Sequence, residues 1–432
     1  MRFLHPAHPD LGVRLGYGLN LYPSRDAEGV LAGLRAVAVP LAERLAPGAR
    51  AFGVGAWLPA AAARVFAGEE RRFEELAGLV LEHGLDPFTC NAFPAGDFHR
   101  PGLKERVFEP TWHDDARLSF TLDVARVAVR LRAARGGSRA GEHLSLSTHA
   151  GQFGPFADAA ERARAAANFV RAAQALAELE AESGERVVLA LEPEPRSSAN
   201  DTRELAALFE ALRQGARRAG AEDALVRHVG ACLDTCHAAV EFEPARAALE
   251  QATARGAPLG KLQLSSALAL RSPAEDERGR AQFLGMDEPV YLHQVTAHTS
   301  AGLLRARDLS EVRARWEAGE GGWRGADEWR CHYHVPVDLE ALAGRDPSAI
   351  GLATTRAEAV ATLGEALRAP ERWGARELHV EVETYTWSLL AAGVETGAVV
   401  DGLEREWRHA AAELARAGWQ RDGDPGGRPA AR

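Results

Sequence analysis

Short runs of β-branched and aliphatic residues alternate along this chain with longer Ala/Leu/Arg segments whose apolar positions recur at helical spacing. Parallel strands joined by crossover helices produce such an alternation. Eight strands are predicted, over residues 14–19, 51–57, 87–93, 143–149, 186–192, 228–233, 261–266 and 377–383. Several, such as VVLALE and VGACLD, are apolar up to a final carboxylate. That suits a strand buried on both faces with a functional group at its carboxyl end. Helices are predicted over 28–45, 59–83, 116–135, 158–183, 202–219, 244–255 and 356–368, with Asp201 as a cap before Thr202-Arg203-Glu204. Eight strands with their helices fit a closed (β/α)8 barrel. No GxGxxG follows the first strand, so the doubly wound dinucleotide-binding sheet is disfavoured.

One stretch breaks the rhythm. About 90 residues separate the seventh strand from the next helix, where two to six are usual. Residues 267–354 are therefore read as an insertion within a single barrel domain spanning 1–418, and its part over 267–338 as a lid that closes over the mouth. Residues 419–432, rich in Gly, Pro and polar residues, are expected to form a disordered tail.

Composition narrows the class of partner. The 61 acidic against 51 basic residues give a formal charge of −10, which disfavours a nucleic-acid backbone and leaves a small-molecule metabolite. No apolar run reaches the roughly 18 residues of a spanning helix and the start lacks the apolar core of a secretion signal, so a cytoplasmic location is expected. Cys90, Cys232, Cys236 and Cys331 follow no paired-CxxC spacing and are expected to be reduced.

A barrel gathers its strand ends into one ring, and four chemically competent groups stand at predicted strand ends: Glu192, Asp234 with His237 three residues on, Gln263, and Glu383. Carboxylates with an imidazole or amide oxygen on separate rigid elements are the donor set of a divalent ion, Mn, Mg, Zn or Co. Glu194 and Glu381 lie one side-chain alternation away and replace them if the register shifts. His149 ends the fourth strand beside Glu192, and His332 and His334 in CHYHVPV point the same way on an extended segment, so both face the mouth. On the amino-terminal half, Asn20, Asn91 and His99 suit recognition of substrate hydroxyls and Lys104 suits an anionic group. With Glu192 or Glu383 exchanging a proton beside a metal-polarised carbonyl, the ring reads as an isomerase or epimerase site. A zinc phosphodiesterase and a non-catalytic metabolite-binding barrel are the two alternatives.

The segments LEPEP, CLDTCH, KLQLSSA, HYHVPV and HVEVETYTW, together with FTCNAFPAGDFHRPGLKERVFEPTW, resemble the EboE-type metabolite traffic proteins within the xylose isomerase-like barrel superfamily, over nearly the whole chain. The resemblance implies a metal-dependent barrel in which Glu192, Asp234, His237 and Glu383 are ligands and His332 and His334 form a loop pair holding further zinc. Gln263 stands where the epimerases of that superfamily have a histidine, and His332 where the endonuclease branch has an aspartate. The resemblance also implies traffic of a prenylated precursor among partner proteins of one pathway.

Overall fold

The structure, a computed structural model, describes residues 1–48, 51–342, 351–390 and 396–423. A hairpin opens the chain, β1 (Arg2–His5) turning into the long β2 (His8–Gly18), followed by β3 (Phe52–Trp57), β4 (Leu85–Asn91), β5 (Leu144–His149), β6 (Val187–Glu192), β7 (Val229–Asp234) and β8 (Leu259–Leu264). The insertion supplies β9 (Ser266–Arg271), β10 (Val295–Thr299), β11 (Gly302–Ala306), β12 (Glu328–Val335), β13 (Ala341–Leu342) and β14 (Leu352–Thr354), after which come β15 (Glu377–Val382) and β16 (Gln420–Arg421). Strands β2 to β8 and β15 run parallel in the order β15-β8-β7-β6-β5-β4-β3-β2, and β15 pairs back onto β2 from Glu377↔Gly12 to Val382↔Tyr17. This closed eight-stranded barrel is the predicted (β/α)8 architecture.

Most of the strands read from the sequence lie within a few residues of those observed because buried residues dominate them: every residue of VVLALE and VGACLD is inside, whereas β2 begins earlier than predicted, at exposed His8. Helix starts were equally legible. Asp201 accepts the backbone N–H of Glu204 at 2.9 Å, and Asp114, Asp158 and Asp26 cap their helices in the same way. The predicted helix 59–83 is two helices, Ala60–Gly68 and Glu70–Glu82, parted by an extended Glu69. Among the elements that went unread are the β1–β2 hairpin, the helices Glu222–His228 and Thr235–Val240, and the long closing helix Thr396–Arg416. The chain also stays folded past 418: Trp419 is buried and β16 pairs with β1, while 424–432 lie outside the described residues. No helix among the described residues is long and apolar enough to cross a membrane.

The barrel interior is polar along one line. Glu377, His379 and Glu381 on β15 and Glu383 just beyond it are all buried, two residues apart along the chain and so on one face. At the base Arg14 binds Glu377, Asp86 and Glu142 at 2.6, 2.6 and 2.9 Å. Above it His379 stacks on His143, ring centroids 4.0 Å apart. Next, Lys261 pairs with Glu381, which fills a slot against Gly55, where a Cβ would overlap its carboxylate. Glu383 crowns the line at the mouth.

The insertion is more than a loop. Its strands form a second sheet in the order β11-β10-β12-β9-β14-β13, with an apolar core of its own around Trp323, Trp329, Phe283 and Val295. Buried Glu241, just after the helix Thr235–Val240, accepts hydrogen bonds from Arg196, Arg305, Thr296 and Asn200 and so ties this sheet to the barrel.

Candidate metal centre

Two sets of donors meet at the carboxyl ends of the strands. Glu192 on β6, Asp234 on β7 and Glu383 just beyond β15 place carboxylate oxygens within 4.8 Å of one another, all buried. Asp234 and Glu192 each keep one buried oxygen, Oδ2 and Oε2, with no hydrogen-bond partner. Buried carboxylate oxygens are costly to leave bare, so these two point to a cation. Burial and then the charge of Glu383 and Asp234 hold the Glu192 carboxyl well above the usual carboxylate range. Burial and the charge of Glu381 do the same for Glu383.

The second set is imidazole. The Nε2 atoms of His237, His332 and His334 lie 3.1, 3.4 and 3.0 Å apart pairwise. Their Nδ1 sides are all spent on oxygen: His237 donates to the Pro193 carbonyl at 3.1 Å, His332 to Gln294 Oε1 at 2.5 Å and His334 to the Glu383 carbonyl at 2.8 Å. A proton fixed at each Nδ1 leaves three Nε2 lone pairs aimed at one another. Donors held by one ion at about 2.0–2.1 Å stand about 3.3 Å apart in a tetrahedron, so this convergence fits a borderline cation such as zinc. Burial, then the neighbouring imidazoles, pushes His332 far below its ordinary pKa, and burial pushes His334 down to about 4, so both are neutral imidazoles at physiological pH. Asp234 belongs to both sets, grouping also with His237 and His334.

The remaining residues singled out from the sequence take other parts. Asn20 and Asn91 donate to Glu383 Oε1 at 2.6 and 3.0 Å and thereby aim its carboxylate. Gln263 is buried beside Asp234 on the neighbouring strand, but its carbonyl accepts the Cys232 thiol at 2.7 Å. His149 packs between Phe93 and Phe108, Nδ1 accepting the Gly151 N–H, and joins neither donor set. His99 is held on both nitrogens, by the Asn20 carbonyl and the Tyr291 hydroxyl, and Lys104 pairs with Asp308 of the insertion at 2.8 Å. Glu194 is nearer the centre than its second rank suggested: it groups with His237 and His332, and burial raises its pKa to about 7. Gln294, unread in the sequence, bridges Glu194 and His332. No periodicity marks an amide just before an insertion strand. Tyr385, 3.4 Å from His332 Nε2, lay in the ETYTW segment. All four cysteines are buried and free.

A pocket lies over these donors. Its floor is Glu192, Glu194, His237, His332, His334 and Glu383, and its wall includes Phe93, Phe98, Leu103, Val107, Val290 and Leu292.

No family model matches the chain, and no curated protein does. Among solved structures the chain is similar to a D-tagatose 3-epimerase-like protein, with 8% identity and a TM-score of 0.44 over 93% of this chain and 100% of that one. It is similar also to an IOLI protein with a binding zinc atom, with 9% identity and a TM-score of 0.43 over 94% and 99% of the two chains. A family 2 AP endonuclease from Brucella melitensis aligns over 59% of this chain and 79% of its own, with 15% identity and a TM-score of 0.34. The assignment of the barrel rests on its own strand order.

Proposed function

We propose that the chain is a divalent-metal enzyme that moves a proton on a small carbonyl- or hydroxyl-bearing metabolite, in the manner of an isomerase or epimerase. The convergence of three imidazoles beside two carboxyls of raised pKa carries this reading. His237, His332 and His334 with Asp234 would hold the ion, which supplies Lewis acidity next to a substrate oxygen. Glu192 and Glu383 then remain for proton transfer. Their raised pKa values let each hold a proton at a pH where an ordinary carboxylic acid has lost it, and Asn20 and Asn91 keep the Glu383 oxygen fixed for that transfer. Buried surroundings and the insertion overhead exclude water from the exchanged proton.

A second reading is favoured by the carboxylate set itself. If Glu192, Asp234 and Glu383 hold a second ion, they are consumed as ligands, and a two-ion site suits hydrolysis of a small phosphoester better than proton transfer. Elemental analysis of protein purified without chelator separates the two. One ion per chain, together with uptake of deuterium from solvent into a bound carbonyl compound, supports proton transfer. Two or more ions and no deuterium uptake support hydrolysis. A metal-free chain refutes both.

A further inference from the structure

Resting on that metal-centre reading, we infer that the substrate is not a bare polyol but a molecule with one oxygen-bearing, chelating end and a compact apolar body. A polyol must find a partner for every hydroxyl it buries, and each one left bare costs on the order of 1–3 kcal/mol. The pocket wall has almost none to give. Asn20 and Asn91 each spend one amide N–H on Glu383, and Lys104 pairs its ammonium with Asp308. The hydroxyl of Tyr291 lies against His99 at 2.6 Å and that of Tyr385 against His332 at 3.4 Å. Of these five, Asn20 Oδ1 and Lys104 Nζ are the buried side-chain atoms without a hydrogen-bond partner, and Lys104 Nζ has its ion pair to Asp308.

Everything else on the wall is carbon. Phe93, Phe98, Leu103, Val107, Val290 and Leu292 face the pocket, the last two from the insertion, so barrel and insertion together build one apolar half-chamber opposite the donors. A chamber divided in this way satisfies a ligand divided in the same way: polar atoms at the floor, where the ion and carboxyls meet them, and carbon against carbon above. Closing the insertion over a hydrophilic sugar would leave its distal hydroxyls facing aliphatic side chains.

A chelating series tests this directly. Protein loaded with zinc is titrated calorimetrically with straight-chain hydroxamic acids from acetohydroxamic to octanohydroxamic acid, and with fructose. Affinity is expected to rise about threefold to fourfold for each added methylene until the chamber is full, the increment of a buried CH₂ group, and to exceed that of fructose throughout. Leu103→Asn and Val290→Asn, at partly exposed wall positions that tolerate polarity, flatten that slope. Equal affinity along the series, or fructose binding as tightly as the longest hydroxamate, overturns the inference while leaving the metal centre standing. Failure of the chain to retain zinc overturns the metal centre and this inference with it.

Discussion

Asp234 caps the helix that carries His237: its Oδ1 accepts the backbone N–H of His237 at 3.1 Å and that of Cys236 at 2.6 Å, while its Oδ2 faces the donor cluster without a partner. One carboxylate thus does two jobs that mutation can part. Asparagine keeps a capping oxygen but loses the charge, whereas alanine loses both. Asp234→Asn is expected to unfold within about 0.5 kcal/mol of the parent yet to bind metal at least tenfold more weakly. Asp234→Ala is expected to lose about 1 kcal/mol of stability as well. Chemical denaturation and competition with a metal-sensitive dye read the two quantities separately. Equal metal affinity in the parent and Asp234→Asn would remove Asp234 from the centre.

Gln294 fixes a proton it does not carry. Its Oε1 holds the Nδ1–H of His332 while its Nε2 donates to Glu194 and to the Pro195 carbonyl. Outer partners of this kind set the tautomer of a ligating imidazole and are worth about tenfold to 100-fold in metal affinity. Gln294→Leu is expected to lower zinc affinity by that factor, and Gln294→Glu, which still accepts from Nδ1–H, to lose less. If both variants bind zinc like the parent, the amide is only packing.

Sequence and structure agree most where one rule dominates. Strands buried on both faces announce themselves as apolar runs, and their terminal carboxylates Glu192 and Asp234 land at the mouth because the barrel leaves them nowhere else to go. His332 and His334 were legible for a related reason, since alternation on an extended segment sends both side chains one way. Asn20, Asn91 and Lys104 line the pocket, yet they and His99 also bond to neighbours that the sequence could not name. Which partner satisfies a polar side chain depends on residues distant in the chain: Asn20 meets Glu383, and Lys104 meets Asp308. Gln294 escaped for want of any local signal, whereas the Thr396–Arg416 helix carries apolar residues at helical spacing, Val400, Leu403, Trp407, Ala410 and Leu414, that went unread.

The stacked pair inside the barrel sets a pH limit. Burial lowers the His143 pKa to about 3 and pushes His379 well below its ordinary value, so the folded chain keeps both neutral. The unfolded chain takes up protons on them below about pH 6.5. Stability that is fully present above pH 6.5 is therefore lost as the pH falls toward 3, at up to about 1.4 kcal/mol per pH unit for each group. Urea denaturation between pH 7 and 4 should show this fall, and His143→Gln should reduce its slope by roughly one group's share even if the variant is less stable overall. An unchanged slope would mean that His143 is protonated in the fold.

Glu241 is where the insertion meets the barrel, and the imidazole set depends on that seam. The buried carboxylate takes hydrogen bonds from Arg196 on the barrel side and from Arg305 and Thr296 on the insertion, which itself carries His332 and His334. Removing one partner of a buried ion pair strands the other, at a cost of about 3–5 kcal/mol. The second sheet has its own core, so that cost falls on the seam rather than on either body. Glu241→Gln is accordingly expected to leave the circular dichroism of the chain unchanged, to speed proteolysis within 267–338, and to weaken zinc binding by about tenfold or more. Zinc, by joining His237 of the barrel to His332 and His334 of the insertion, is expected to slow that proteolysis in the parent and less so in the variant. Cleavage in the insertion at one rate with and without zinc would show that the two bodies are not joined through the metal centre.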